Sequence, residues 1–179
     1  MNTQFTLKNF RVFDANEGGK FNLSPITILT GCNSSGKSSL VKAILLLKNF
    51  CCNLLSNDID ESRLDFNSKI TRLGGFNLVR NKGSKKGERI YFSYTTTPRI
   101  FEEAVLVEMW FASDNKDKLD NGWLEQFVIR RVADEKIIIK AEYKRSKNNS
   151  GSTILHLHKI DLNVILNQFY KSVFRDLLF

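Results

Sequence analysis

The sequence predicts an α/β fold of α+β character, with a strand-rich, mixed or antiparallel sheet gathered around one helix. Three observations carry that expectation. First, the β-branched run Ile26-Thr27-Ile28-Leu29 passes through a glycine- and serine-bearing loop into residues 39–50. There Leu40, Val41, Ile44, Leu45 and Leu47 recur at helical spacing, with Lys42 and Lys48 between them. Second, residues 89–96, 104–113, 123–132, 136–145 and 152–159 are apolar and β-branched runs of strand length, parted by turn-forming residues. Third, these runs do not alternate with helices, as a parallel sheet would require.

Taken in order, residues 5–12 read as a first strand, with Thr6, Lys8 and Arg11 among apolar neighbours. Residues 14–20, with Gly18-Gly19, read as a turn and residues 21–23 as a short second strand. Pro25 restricts Ser24 to extended backbone and suits the entry to a buried strand over 26–29. After the helix, residues 53–63 are polar and irregular. Leu64-Asp65-Phe66 and residues 69–73 then lead to Gly74-Gly75, a turn or a close backbone approach. Asp134-Glu135 suits a tight turn between the third and fourth of the later strands, and Asn148-Asn149-Ser150-Gly151 one between the fourth and fifth. Asp161 or Asn163 starts a last helix carrying Val164, Ile165, Phe169, Val173, Phe174, Leu177 and Leu178. The organisation is one lobe over residues 1–160 and the start of a helical arm or next segment over 161–179.

A chain of 179 residues is long enough for one domain with a real core, and 42% hydrophobic with 26% charged residues places it among globular rather than disordered chains. No apolar run is long enough to cross a membrane, and the opening residues lack a basic segment followed by an apolar one, so a cytoplasmic protein is expected. Three cysteines, Cys32, Cys51 and Cys52, make no disulfide framework. The adjacent pair is read as reduced thiols at a helix end, with a redox pair or half a metal site as the alternatives. His156 and His158 alternate and would share one strand face, as part of a polar face or as a ligand pair. The net charge of +8 permits a polyanionic partner; the excess gathers in residues 80–87 and 144–147, either solvated loops or contacts to DNA phosphates.

The chemistry lies in Gly31-Cys32-Asn33-Ser34-Ser35-Gly36-Lys37-Ser38, which fits G-x-x-x-x-G-K-[ST], the phosphate-binding P-loop. Its spacing has a physical reason. A glycine-bearing loop turns several backbone N–H groups toward one point, and the following helix adds its own N-terminal N–H groups and its positive dipole end. Lys37 then reaches the outer phosphates of a nucleotide, and the Ser38 hydroxyl becomes a Mg²⁺ ligand. Cys32 occupies one of the positions between the glycines that tolerate many residues.

Three stretches together resemble the N-terminal lobe of ABC-type ATPases of the SMC, RecF and OLD kind, a group within the AAA-family ATPases. They are Leu7-Lys8-Asn9-Phe10-Arg11-Val12-Phe13; residues 26–47 with Asn33-Ser34-Ser35-Gly36-Lys37-Ser38-Ser39 at their centre; and Leu64-Asp65-Phe66 through Leu73-Gly74-Gly75-Phe76-Asn77-Leu78-Val79. The third is similar to a segment of a bacterial subgroup, several members of which work in anti-phage defence beside a nuclease. The resemblance covers mostly residues 5–95. It implies a P-loop lobe in which Asn33, Ser35, Gly36 and Lys37 wrap the β- and γ-phosphates of ATP, Gly31 and Ser34 belong to the same nucleotide-binding loop, Ser38 holds Mg²⁺ and Ser39 touches the α-phosphate. It places Asn9, Phe10 and Arg11 near the base or ribose, although Phe10 reads equally as a core aromatic. It further implies a homodimer through the ATP site, a nuclease or other effector partner, and DNA.

The same resemblance sets requirements that this sequence does not meet. Such an ATPase uses an apolar strand ending in Asp-Glu (the Walker B motif), a serine-glycine signature and a glutamine that senses Mg²⁺. Asp134-Glu135 follows two arginines and reads as a hairpin turn; Glu108 ends an apolar run with no Asp before it; residues 70–80 hold no glutamine, and Gln126 and Gln168 fit only another topology. The expectation is an incomplete ATPase head that binds ATP weakly and hydrolyses almost none alone. A non-hydrolysing regulatory subunit and a P-loop small-molecule kinase are the alternatives. Asp58, Asp60, Glu61 and Arg63 offer the kinase's residue types, whereas the strand-rich middle opposes it. A GTPase is disfavoured because Asn115-Lys116-Asp117-Lys118 lacks the final Asp of a guanine-reading motif.

Overall fold

The computed structural model describes residues 3–55, 63–85, 87–98, 101–113, 121–145 and 153–159. Their elements are β1 (Thr3–Lys8), β2 (Gly19–Leu23), α1 (Lys37–Leu55), β3 (Arg63–Leu64), α2 (Phe76–Val79), β4 (Ile90–Thr96), β5 (Val105–Ser113), β6 (Gly122–Arg131), β7 (Ile137–Arg145) and β8 (Thr153–Lys159). The strands form one sheet in the order β2-β1-β4-β5-β6-β7-β8, with β3 on β6, and every pairing is antiparallel. The described residues are thus strand-rich and helix-poor, with α+β character. The last helix expected from Asp161 or Asn163 and the turn at 148–151 lie outside the described residues.

Alternation explains why α1 packs on one face of the sheet. Phe5 and Leu7 of β1, Ile90, Phe92 and Tyr94 of β4, and Val105, Val107, Met109 and Phe111 of β5 are all buried on one face. Helix α1 answers with Leu40, Ala43, Leu47 and Phe50, spaced three or four residues apart, together with Leu46 and Cys51. Phe50 meets Phe111 edge to face at a centroid distance of 4.9 Å, and Phe92 meets Phe111 at 5.9 Å. Where Trp110 and Phe111 pair with Gln126 and Leu124, a β-bulge leaves Glu125 as an extra residue in β6, and Leu124 and Phe127 on either side of it are both buried.

One expected strand is absent. Residues 24–30 carry no strand, and Ile26 and Ile28 are 85% and 82% exposed. β-branched residues favour extended backbone, but a strand is completed by a neighbour's N–H and C=O groups, and none among the described residues pairs here. Thr27 instead closes a local turn: its hydroxyl accepts from the Ser24 N–H at 2.9 Å and donates to the Ser24 carbonyl at 3.0 Å. The first strand also ends earlier than expected, at Lys8. Asn9 and Arg11 both take positive φ, and the Phe10–Phe13 bridge folds the chain back on itself.

Candidate functional site

The 31–36 loop is shaped by residues in left-handed backbone: Gly31 at φ 137°, Ser34 at 67° and Gly36 at 96°. At Gly36 the left-handed backbone also meets a close approach. A Cβ there would stand 2.8 Å from the Phe13 ring and 2.9 Å from a Val12 methyl, so the β1–β2 connection packs directly on the loop. Phe13 in turn meets Phe21 of β2 edge to face at 5.6 Å. The sheet edge thereby holds the loop from beneath.

Helix α1 opens where the loop ends. The Leu40 N–H bonds the Gly36 carbonyl at 2.9 Å, so the ladder itself leaves the N–H groups of Lys37, Ser38 and Ser39 unused. The first turn carries no acidic side chain, which leaves the positive end of a 19-residue helix uncompensated from within. The Lys37 ammonium folds over the loop, donating to the carbonyls of Gly31 at 2.8 Å and Cys32 at 2.6 Å and to the Ser35 hydroxyl at 3.3 Å. A cavity of about 370 Å³ opens here, lined by Phe13, Phe21, Gly31, Ser35 and Lys37. Donors, dipole and ammonium converge on one exposed point, which is what a polyphosphate needs.

Asn33, Ser34, Ser35 and Ser38 are exposed around that point, so the Ser38 hydroxyl is open to a cation beside bound phosphate. Ser39 is only 6% exposed and stands at the inner side of the helix. Of the residues expected near the base, Asn9 and Phe10 are fully buried. The Asn9 amide donates to the Arg89 carbonyl at 3.0 Å and accepts the Asn81 N–H at 3.3 Å, and Phe10 packs against Phe92 at 6.1 Å. Both serve the interior. Arg11 is tied by its backbone to α2 and the following turn, its N–H donating to Val79 and its carbonyl accepting from the Asn81 amide. Its neighbours Val12 and Phe13 are the residues that touch Gly36. Sequence reasoning missed the Phe13–Phe21 support; the signal was two aromatics flanking Gly18-Gly19.

Asp134-Glu135 lies in the turn between β6 and β7, where Asp134 pairs with Arg131 at 3.0 Å and accepts the Lys136 N–H at 3.2 Å. That N–H, followed by the Arg131 guanidinium, holds the Asp134 carboxyl below the usual carboxylate range. Cys51 is buried and Cys52 exposed, and burial pushes the Cys51 thiol well up, so it stays protonated. No cluster of three metal-ligating side chains occurs among the described residues, and no described helix is long and apolar enough to cross a membrane.

A glycine-bearing loop that opens a helix with a lysine at its first position, backed by a sheet edge, defines a P-loop nucleotide-binding domain. A family model for the AAA domain matches residues 4–175, and the chain belongs to that ATPase family. Neither a curated protein nor a solved structure matches it.

Proposed function

We propose that this chain is the ATP-binding lobe of an SMC/RecF/OLD-type ATPase, in which ATP drives two copies together through their P-loop faces and so acts on a nuclease or DNA-acting partner. The observation that carries the reading is the Lys37 ammonium poised over an exposed loop at the uncompensated start of α1. The backbone of Asn33 to Lys37 holds the β- and γ-phosphates, with Lys37 exchanging its loop carbonyls for phosphate oxygens. Ser38 ligands Mg²⁺, which draws charge from the phosphate oxygens when bound. Exposed Ile26 and Ile28 before the loop, and Val41 after it, supply apolar surface that a second copy covers.

Titration calorimetry with MgATP, alongside light scattering, tests both steps. The parent binds and associates; Lys37→Ala does neither. ATP-driven association retained in Lys37→Ala overturns association through the P-loop faces. The hairpin position of Asp134-Glu135 favours a binder that does not turn over by itself. A phosphate-release assay on the purified chain gives a rate near background, and robust turnover dependent on Lys37 overturns that part.

A further inference from the structure

A hollow of about 940 Å³ shares no lining residue with the P-loop cavity; it lies on the face of the sheet turned away from α1. Strand register builds it. Lys8 of β1, Tyr91 of β4, Trp110 of β5 and Gln126 of β6 stand directly opposite one another, forming one row across four strands. The next row runs Lys20, Thr6, Ser93, Glu108. Four strands at about 4.8 Å separation make the first row roughly 14 Å long, room for two or three nucleotides.

The chemistry differs between floor and rim. On the floor, Tyr91 and Trp110 lie ring to ring at 5.0 Å and are only partly buried. Glu108 is neutralised locally, accepting from the Tyr91 hydroxyl at 3.0 Å and pairing with Arg130 at 2.5 Å. Amide and hydroxyl groups of Gln4, Gln126, Thr6 and Ser93 complete a surface that is polar and aromatic. The rim carries Lys8, Lys20, Glu88 and Arg89, the last paired with Glu125 at 3.0 Å, and Gly87, which ends the basic 80–87 run of the sequence, also lines it. Nucleobases need a neutral hydrogen-bonding, stacking floor, and their phosphates need cations at its margin. An acidic protein segment would need its counter-charges at the centre, where Glu108 stands.

We propose that this outer sheet face binds single-stranded nucleic acid, stacking bases on Tyr91 and Trp110 and meeting phosphates with Lys8 and Lys20. The site requires neither ATP nor Lys37. It is tested without nucleotide or magnesium, so that failure of the P-loop reading leaves the result unaffected. The probe is a fluorescein-labelled oligothymidylate, followed by anisotropy. The expected result is binding that weakens as salt rises and is tighter than to a duplex of equal length. In Trp123→Phe protein, where Trp110 is the remaining tryptophan, the unlabelled strand quenches the emission. Trp110→Leu loses about tenfold or more in affinity, the size expected for a lost stacking partner. Lys8→Gln combined with Lys20→Gln flattens the salt dependence. Absence of binding at low salt, absence of Trp110 quenching, or equal affinity for the duplex overturns the proposal. Displacement by polyglutamate as effective as by unlabelled strand assigns the face to acidic protein segments and also overturns it. The quenching measurement keeps Trp110 in place and exchanges Trp123 only for another aromatic residue, so it decides the matter even where Trp110→Leu does not fold.

Discussion

Gly36 is the residue at which two requirements meet. Its φ of 96° is strained for any side chain, and an added methyl would press on Phe13 and Val12. Gly36→Ala should therefore destabilise the fold by roughly 1–3 kcal/mol, read as a lowered urea midpoint. It should also weaken MgATP binding, because the loop shifts away from its support. Asp14 gives a pH effect of defined sign. The Glu17 N–H, then those of Gly18 and Asn16, lower its carboxyl below the ordinary value of 3.8, with Lys8 adding to the effect. A lowered folded value means that the unfolded chain binds the proton more readily. The contribution is present above the ordinary value and is lost as pH falls through the folded one. Asp14→Asn should flatten the loss of melting temperature below about pH 4, and an unchanged acid slope would count against this role.

At the scale of elements, α1 is held by its buried face. Phe50→Ala removes the ring set edge-on against Phe111 and should cost about 3–5 kcal/mol, seen in chemical unfolding. A loss below about 1 kcal/mol would mean that the sheet closes over the gap. The antiparallel strands were legible because each carries its own alternation. β4 reads Ile90, Phe92, Tyr94 inward and Tyr91 outward, and no distant information is needed to see it. The 26–29 run was misread for the opposite reason. Ile26 and Ile28 have strand propensity, but a strand requires a partner that propensity does not supply. Buried Asn9 and Phe10 were placed near the nucleotide because a motif says which residues are close in sequence. The turn at Asn9 and Arg11, with positive φ at both, sends their side chains elsewhere.

The whole molecule divides its work between regions. The loop of β1, β2 and α1 carries the P-loop, whereas the outer face of β1, β4, β5 and β6 carries the aromatic and basic surface. Exposed Ile26 and Ile28 belong to the first region and give a test of association that leaves the fold intact. Ile26→Asp with Ile28→Asp alters side chains that are already in water, so stability should stay within about 0.5 kcal/mol per site. ATP-driven association should be lost while MgATP binding by one copy persists. Association at parental strength in this variant would place the interface on another surface.

The sequence by itself determined the P-loop, its supporting helix and the run of antiparallel strands, because each depends on contacts within a few residues or on a period that repeats along one strand. Gly36 had to be small, and Lys37 had to begin a helix, wherever the rest of the chain went. Only the tertiary structure decided which surfaces those elements share. Lys8, Tyr91, Trp110 and Gln126 are scattered over more than a hundred positions, and strand register alone brings them into one row. Likewise, Phe13 supports Gly36 across a fold-back that no local pattern records. Pairing between distant strands is a property of the assembled sheet, and it is there that the second surface arises.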